Sequence, residues 1–170
     1  MSSFSFTTTI HGRERDYTVK SMNFDSIRRI IINLNQEDRV LSTREIPYDL
    51  KLPDEELMGL VRRCHEERVD GLKELIKISM KLAQKAELES NNKLGLVFLS
   101  NGMGLEAIAE FERALDMKPD NPPPIWNRLG HAYLQESQVE EAAAQFQRAL
   151  ELKPEYPDLH NNRGLAMLQL

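Results

Sequence analysis

The side chains best suited to chemistry in this chain are four histidines, His11, His65, His131 and His160, and one cysteine, Cys64. No two of the histidines fall at a spacing that metal ligands use. Cys64 and His65 are adjacent, and neighbours on a helix point about 100° apart, so the pair does not readily share one ligand. A part-buried thiol beside a surface imidazole is the expected arrangement. His65-Glu66-Glu67-Arg68 opens like the helical zinc-protease motif, in which two histidines four residues apart hold the metal around a glutamate base, but the second histidine is missing. There is no phosphate-binding loop and no dinucleotide glycine pattern, and Asn101-Gly102-Met103-Gly104 reads only as a turn. These residues point away from an enzyme, and no metal or cofactor is expected.

Composition bounds the remaining classes. The 170 residues are 41% hydrophobic and 29% charged, an ordinary globular balance. Apolar runs such as Ile30-Ile31-Ile32 fall far short of the roughly 20 residues that cross a bilayer, so no membrane partner is expected. Met1-Ser2-Ser3-Phe4-Ser5-Phe6 lacks the basic start and apolar block of a secretion signal. A single cysteine excludes an internal disulfide and suits a reducing, cytoplasmic setting. Residues 1–85 carry 15 Lys+Arg against 14 Asp+Glu, and residues 86–170 carry 7 against 13. That acidity argues against nucleic acid, which needs clustered cations. A solvated helical surface accounts for it, and a basic protein partner is also compatible with it.

An internal repeat organises the second half. Glu106-Ala107-Ile108-Ala109-Glu110-Phe111-Glu112-Arg113-Ala114-Leu115-Asp116-Met117-Lys118-Pro119 returns 35 residues later as Glu141-Ala142-Ala143-Ala144-Gln145-Phe146-Gln147-Arg148-Ala149-Leu150-Glu151-Leu152-Lys153-Pro154, with nine of the fourteen pairs identical. Upstream, Trp126, Leu129, Gly130 and Tyr133 precede Ala142, Phe146, Ala149 and Pro154. Small residues at Gly95, Gly130, Ala107 and Ala142 suit a close helix crossing, and Phe111 and Phe146 suit the space between helices. Pro119 and Pro154 suit helix ends. First helices are expected over 88–100 and 124–135, and second helices over 104–117 and 139–152.

This pattern resembles the tetratricopeptide repeat. The resemblance covers residues 88–170: units at 88–121 and 123–156, and a partial unit at 157–170 that supplies Leu159, Gly164 and Met167 but has Arg163 where leucine is usual. It implies a superhelix with a concave face lined by first helices. Carried over position by position, that groove would present Asn92, Leu96 and Leu99 from the first unit. Asn127, Arg128, His131 and Gln135 would come from the second, and Asn161, Asn162 and Leu165 from the third. Asn92, Asn127 and Asn161 share one repeat position. Either they form a ladder that pairs with a peptide backbone, or asparagine is simply tolerated there. The carboxylate clamp of chaperone-tail receptors is not matched, since its places hold Asn92, Leu96, Arg128, Asp158 and Asn162.

The first 53 residues lie outside the resemblance. Phe4, Phe6, Thr8 and Ile10 alternate with polar residues, His11-Gly12 reads as a turn, and Tyr17 and Val19 suit a second strand. Ile27, Ile30, Ile31 and Leu34 have the spacing of an amphipathic helix over 25–35. Residues 36–53 read as irregular, broken by Pro47 and Pro53. From 54 to 87 the apolar positions, Leu57 through Leu82 and Ala86, follow helical spacing. That segment reads either as one long helix or as a degenerate repeat turning at Asp70-Gly71, and in either form as a cap for the solenoid.

The expected molecule is therefore mainly α: a tetratricopeptide solenoid of two full repeats and one half repeat, preceded by a small α+β segment of β-hairpin plus helix. Its expected function is that of a protein–protein scaffold or adaptor binding a partner peptide or protein in the groove. The alternative is a regulatory or oligomerisation module of a longer enzyme or assembly protein, cut at Leu170. The almost wholly apolar Gly164–Leu170 stretch suggests self-association or a continuing chain.

Overall fold

The structure, a computed structural model, describes residues 3–12, 15–49, 51–82 and 87–169. The expected helical position Ala86 and the terminal Leu170 lie outside the described residues. The chain divides into two compact units, Met1–Met80 and Lys81–Leu170.

The first unit is a four-stranded antiparallel meander followed by a helix. Strands β1 (Ser5–His11), β2 (Asp16–Phe24), β3 (Arg29–Gln36) and β4 (Arg39–Pro47) lie side by side in chain order. Alternation puts Tyr17, Val19, Ser21 and Asn23 of β2 on the buried face, with Ile30, Ile32 and Leu34 of β3. The expected hairpin is present as β1–β2, with Ile10 opposite Tyr17 and Thr8 opposite Val19.

The helix expected over 25–35 is instead a turn and a strand. Residues 25–28 connect Phe24 to its partner Arg29, and Ile27 lies exposed in that turn. Ile30, Ile32 and Leu34 bury at a period of two, flanked by β2 and by β4. The spacing of Ile27, Ile30, Ile31 and Leu34 imitates a helix only because Ile27 is counted. The run Ile30-Ile31-Ile32 is β-branched, which favours a pleated strand flanked on both sides.

Residues 39–47, expected to be irregular, form β4. It is an edge strand, largely exposed, so its residues show no clean alternation. Pro47 stands at its last position, where a missing amide hydrogen is tolerated. A bulge between Leu34 and Asn35 shifts the register, pairing Leu34 with Ser42 but Asn35 with Val40.

Helix α1 runs unbroken from Asp54 to Leu82, which resolves the choice between one helix and a hairpin. Asp54, Glu55 and Glu56 fill its first turn, where anions suit the helix dipole. Buried residues Leu57, Val61, His65, Val69, Leu72, Ile76 and Ser79 make one stripe that passes straight through Asp70-Gly71. A glycine inside an exposed helix face costs only about 1 kcal/mol against alanine, and that continuous stripe outweighs it. Lys73 and Lys77, at the places where a repeat wants alanine and phenylalanine, are exposed. Through residue 80 the helix belongs to the sheet's unit.

The second unit is a run of helices: α2 (Leu88–Ser100), α3 (Gly104–Asp116), α4 (Pro123–Gln135), α5 (Val139–Leu152) and α6 (Pro157–Met167). α2 pairs with α3 and α4 with α5, while α6 packs on α5. Glycine is required at the two crossings. A Cβ on Gly95 would stand 2.6 Å from the Phe111 ring, and one on Gly130 would stand 2.5 Å from the Phe146 ring. Phe111 and Phe146 are fully buried as a result. Pro123 and Pro157 sit in the first turns of α4 and α6, where no amide hydrogen is missed.

Candidate functional site

The neighbouring first helices meet along the residues expected to line the groove. Arg128 donates from Nη1 to Asn92 Oδ1 at 2.7 Å, joining α4 to α2. Asn162 donates from Nδ2 to Asn127 Oδ1 at 2.9 Å, joining α6 to α4. The two bridges span 36 and 35 residues, so the same pair of repeat positions is linked in both steps. Gln135 donates from Nε2 to the Leu99 carbonyl at 3.2 Å, closing the other end of the α2–α4 seam. Leu96, Asn161 and Leu165 lie exposed on their helices.

These bridges change what the asparagines do. Asn92 and Asn127 each give their carbonyl oxygen to the next helix, so a peptide would meet a face already cross-linked. Asn161, in the last unit, is exposed.

His131 sits at the middle of this face. Its ring meets Phe146 edge-on, with centroids 5.4 Å apart and planes at 72°. Its Nε2 lies 3.1 Å from Asn162 Nδ2. An amide donor there requires a bare Nε2, which puts the proton of the neutral ring on Nδ1. Partial burial holds its pKa below the ordinary histidine value. On the opposite side of the repeat, Tyr133 donates its hydroxyl to Glu112 at 3.0 Å, tying α4 to α3. Burial, with that carboxylate, pushes the tyrosine pKa up to about 12.

A cleft of about 190 Å³ opens between the start of α4 and the α5–α6 connection. Pro123, Pro124, Asn127 and Arg128 line one side, and Lys153, Tyr156, Asp158 and Leu159 the other. It is smaller than the roughly 300–1,000 Å³ of a typical small-molecule pocket, and fits one side chain or a chain end. Lys153 Nζ lies 5.5 Å from the centre of the Tyr156 ring. Sequence reading missed Lys153 and Tyr156, because they lie in the connection after the second helix and not on a first helix. The exposed aromatic next to a lysine was the available signal.

The chemically suggestive pair in the first unit serves the fold. His65, expected on the surface, is buried, with Nδ1 2.9 Å from Ser21 Oγ and Nε2 2.8 Å from Thr8 Oγ1. Phe6 packs on its ring with centroids 5.9 Å apart. Both ring nitrogens are thus occupied by the sheet. Burial lowers the histidine's pKa and raises that of Cys64, which leaves the thiol protonated and poorly nucleophilic. No helix among the described residues is long and apolar enough to cross a membrane.

Stacked helical hairpins that repeat every 35 residues and share a seam of equivalent side chains define a helical-repeat solenoid. The sequence profile described as Tetratricopeptide repeat matches residues 88–121, and the one described as TPR repeat matches residues 130–170. The C-terminal half of the chain belongs to the tetratricopeptide-repeat family, whose repeats generally mediate protein–protein interaction. No curated protein matches the chain.

Proposed function

We propose that this chain is a scaffold or adaptor that holds a partner peptide or protein on the face formed by α2, α4 and α6. The observation that carries this reading is the doubly bridged seam Asn92–Arg128 and Asn127–Asn162, continued by His131 and Gln135. Such cross-links fix the spacing of the side chains before a partner arrives, which lowers the ordering cost of binding. The cleft beside Arg128 and Lys153 offers an anchor for one side chain of that partner. Its two cations, Arg128 and Lys153, outnumber the one carboxylate, Asp158, in the lining, and favour an anionic group on the incoming peptide.

Affinity capture with the whole chain tests this, quantified against Asn127→Ala, His131→Ala and Lys153→Ala. Partners held by the wild type and lost from all three variants support the groove. Partners retained equally by all four proteins would exclude it.

A second reading, an oligomerisation or regulatory module of a larger assembly, is favoured by Leu165, Met167 and Leu168, which are 49%, 54% and 84% exposed. Light scattering over a hundredfold concentration range distinguishes them. A mass that rises with concentration favours the module, and a constant monomer mass favours the adaptor.

A further inference from the structure

A second cavity, of about 300 Å³, opens between α3, α4 and α5. It shares no residue with the cleft beside Lys153. Its floor is apolar: Leu129 of α4 is buried, and Trp126 of α4 and Leu115 of α3 are half-buried. Its walls carry opposite charge. Glu112 and Asp116 stand on the α3 side, Gln145 and Arg148 on the α5 side.

These residues differ from their counterparts one repeat earlier. In the first unit Arg113 meets Glu110 of its own helix at 2.6 Å, and the two charges cancel. At the equivalent place in α5, 35 residues on, the carboxylate has become an amide. Arg148 Nη1 donates to Gln145 Oε1 at 3.3 Å, a neutral partner that leaves the guanidinium charge in place. Among the described residues, neither Glu112 nor Asp116 forms an ion pair with Arg148 across the cavity. Gln145 is only 7% exposed. With its oxygen taken by Arg148, its amide nitrogen is a donor at the cavity wall without an acceptor among the described residues. The floor changes too, since Trp126 holds the repeat position of Asn91.

A cation alone would suit the α3 wall and be repelled by Arg148. An anion alone would suit Arg148 and Gln145 and be repelled by the two carboxylates. A molecule that carries both charges close together suits both walls at once. The volume lies at the lower edge of the roughly 300–1,000 Å³ of small-molecule pockets, which favours an occupant of amino-acid size. We propose that this cavity binds a free α-amino acid with an apolar side chain. The side chain rests on Trp126, Leu115 and Leu129. The ammonium faces Glu112 and Asp116, and the carboxylate accepts from Arg148 and the Gln145 amide. A peptide cannot make both contacts, because its two charged ends belong to different residues. Bound there, the zwitterion ties α3 to α5 over α4, so the second unit is more stable with ligand than without it.

Trp126 is the one tryptophan of the chain, so its emission reports the cavity directly. The whole chain is titrated with leucine, leucinamide and N-acetylleucine, and equilibrium dialysis of labelled leucine gives a second readout. Leucine is expected to saturate. Each of the other two lacks one charge and is expected to bind about tenfold more weakly or not at all. Arg148→Gln should weaken leucine about tenfold and not weaken leucinamide. Asp116→Asn should weaken leucine and not weaken N-acetylleucine. Both side chains are exposed, so neither change should shift the denaturation midpoint. Leucinamide that binds as tightly as leucine overturns the proposal, because the occupant would then be a basic side chain. N-acetylleucine that does so overturns it in favour of an anion site. No saturable binding by either readout up to about 10 mM leucine also overturns it.

Discussion

The two units bury apolar surface by different means. The C-terminal helices reuse one solution: a phenylalanine on a glycine, flanked by alanines, first at Phe111 on Gly95 and then at Phe146 on Gly130. Both units bury polar groups, Asn91, Glu106 and Glu110 among them in the helices, but the N-terminal sheet has a single copy of everything in its core. Ser21 and His65 are buried there and satisfy each other, while Asn35 donates to the Thr18 carbonyl at 3.2 Å. In the helical unit each hairpin has a near-copy beside it. The sheet depends on specific pairings that nothing else duplicates.

Truncating the stacked ring should have the largest effect. Phe146→Ala is expected to cost about 3–5 kcal/mol, the usual loss for a buried phenylalanine. Trp126, the one tryptophan, packs on the Ala149–Leu150–Leu159 cluster, so its fluorescence reports this unit in chemical denaturation. If the units are energetically separate, amide exchange in β2 and β3 will not change. Coupled loss of protection in the sheet would break the distinction between them.

Next comes the histidine at the core of the sheet unit. His65→Leu should cost about 1–3 kcal/mol, because it leaves the fully buried Ser21 hydroxyl without its partner. It should also alter the pH profile. Burial lowers the pKa of His65, so the folded unit binds its proton less readily than the unfolded chain, whose histidines titrate near pH 6.5. The stabilisation is present above about pH 6.5 and is lost as pH falls through the lowered folded value. His65→Leu should flatten that acid limb when β-sheet amide exchange is followed from pH 7.5 to 5. An unchanged limb would move the acid sensitivity elsewhere. His131 is shifted in the same direction, and His131→Gln should likewise flatten the acid limb in the Trp126 signal.

The smallest effect tests the repetition itself. Gly102 has φ 82°, and Ser137, 35 residues later, has φ 60° in the equivalent turn. A serine there pays for a left-handed backbone that glycine adopts freely. Ser137→Gly should therefore raise stability by about 0.5–1 kcal/mol. Gly102→Ser should lower it by a similar amount, both read as shifts in the denaturation midpoint.

Legibility in the sequence followed the same division. The repeat units, their helix ends and the glycine crossings could be read directly, because the same residue types recur at the same offsets. The residues expected at the groove were placed by repeat position, and the structure joins Asn92 to Arg128 and Asn127 to Asn162. That joining could not be read: a repeat position says which face a side chain occupies, not which neighbour takes its hydrogen bond. In the first unit one stretch offered two periods: Ile27, Ile30, Ile31 and Leu34 fit a helix, while Ile30, Ile32 and Leu34 fit a strand. β4 hid because an edge strand can expose both of its faces.

The sequence by itself determined the tetratricopeptide helices, since each hairpin's partner lies within about one repeat length and its contacts are encoded locally at every turn. Only the tertiary structure decided that Ile30-Ile31-Ile32 is a strand, since that depends on hydrogen bonds to β2 and β4 on either side. It also decided that α1 runs through Gly71 without turning, because a continuous buried stripe from Leu57 to Ser79 outweighs one weak helix former. And it alone showed that Gly164, identical in type and spacing to Gly95 and Gly130, has no ring upon it.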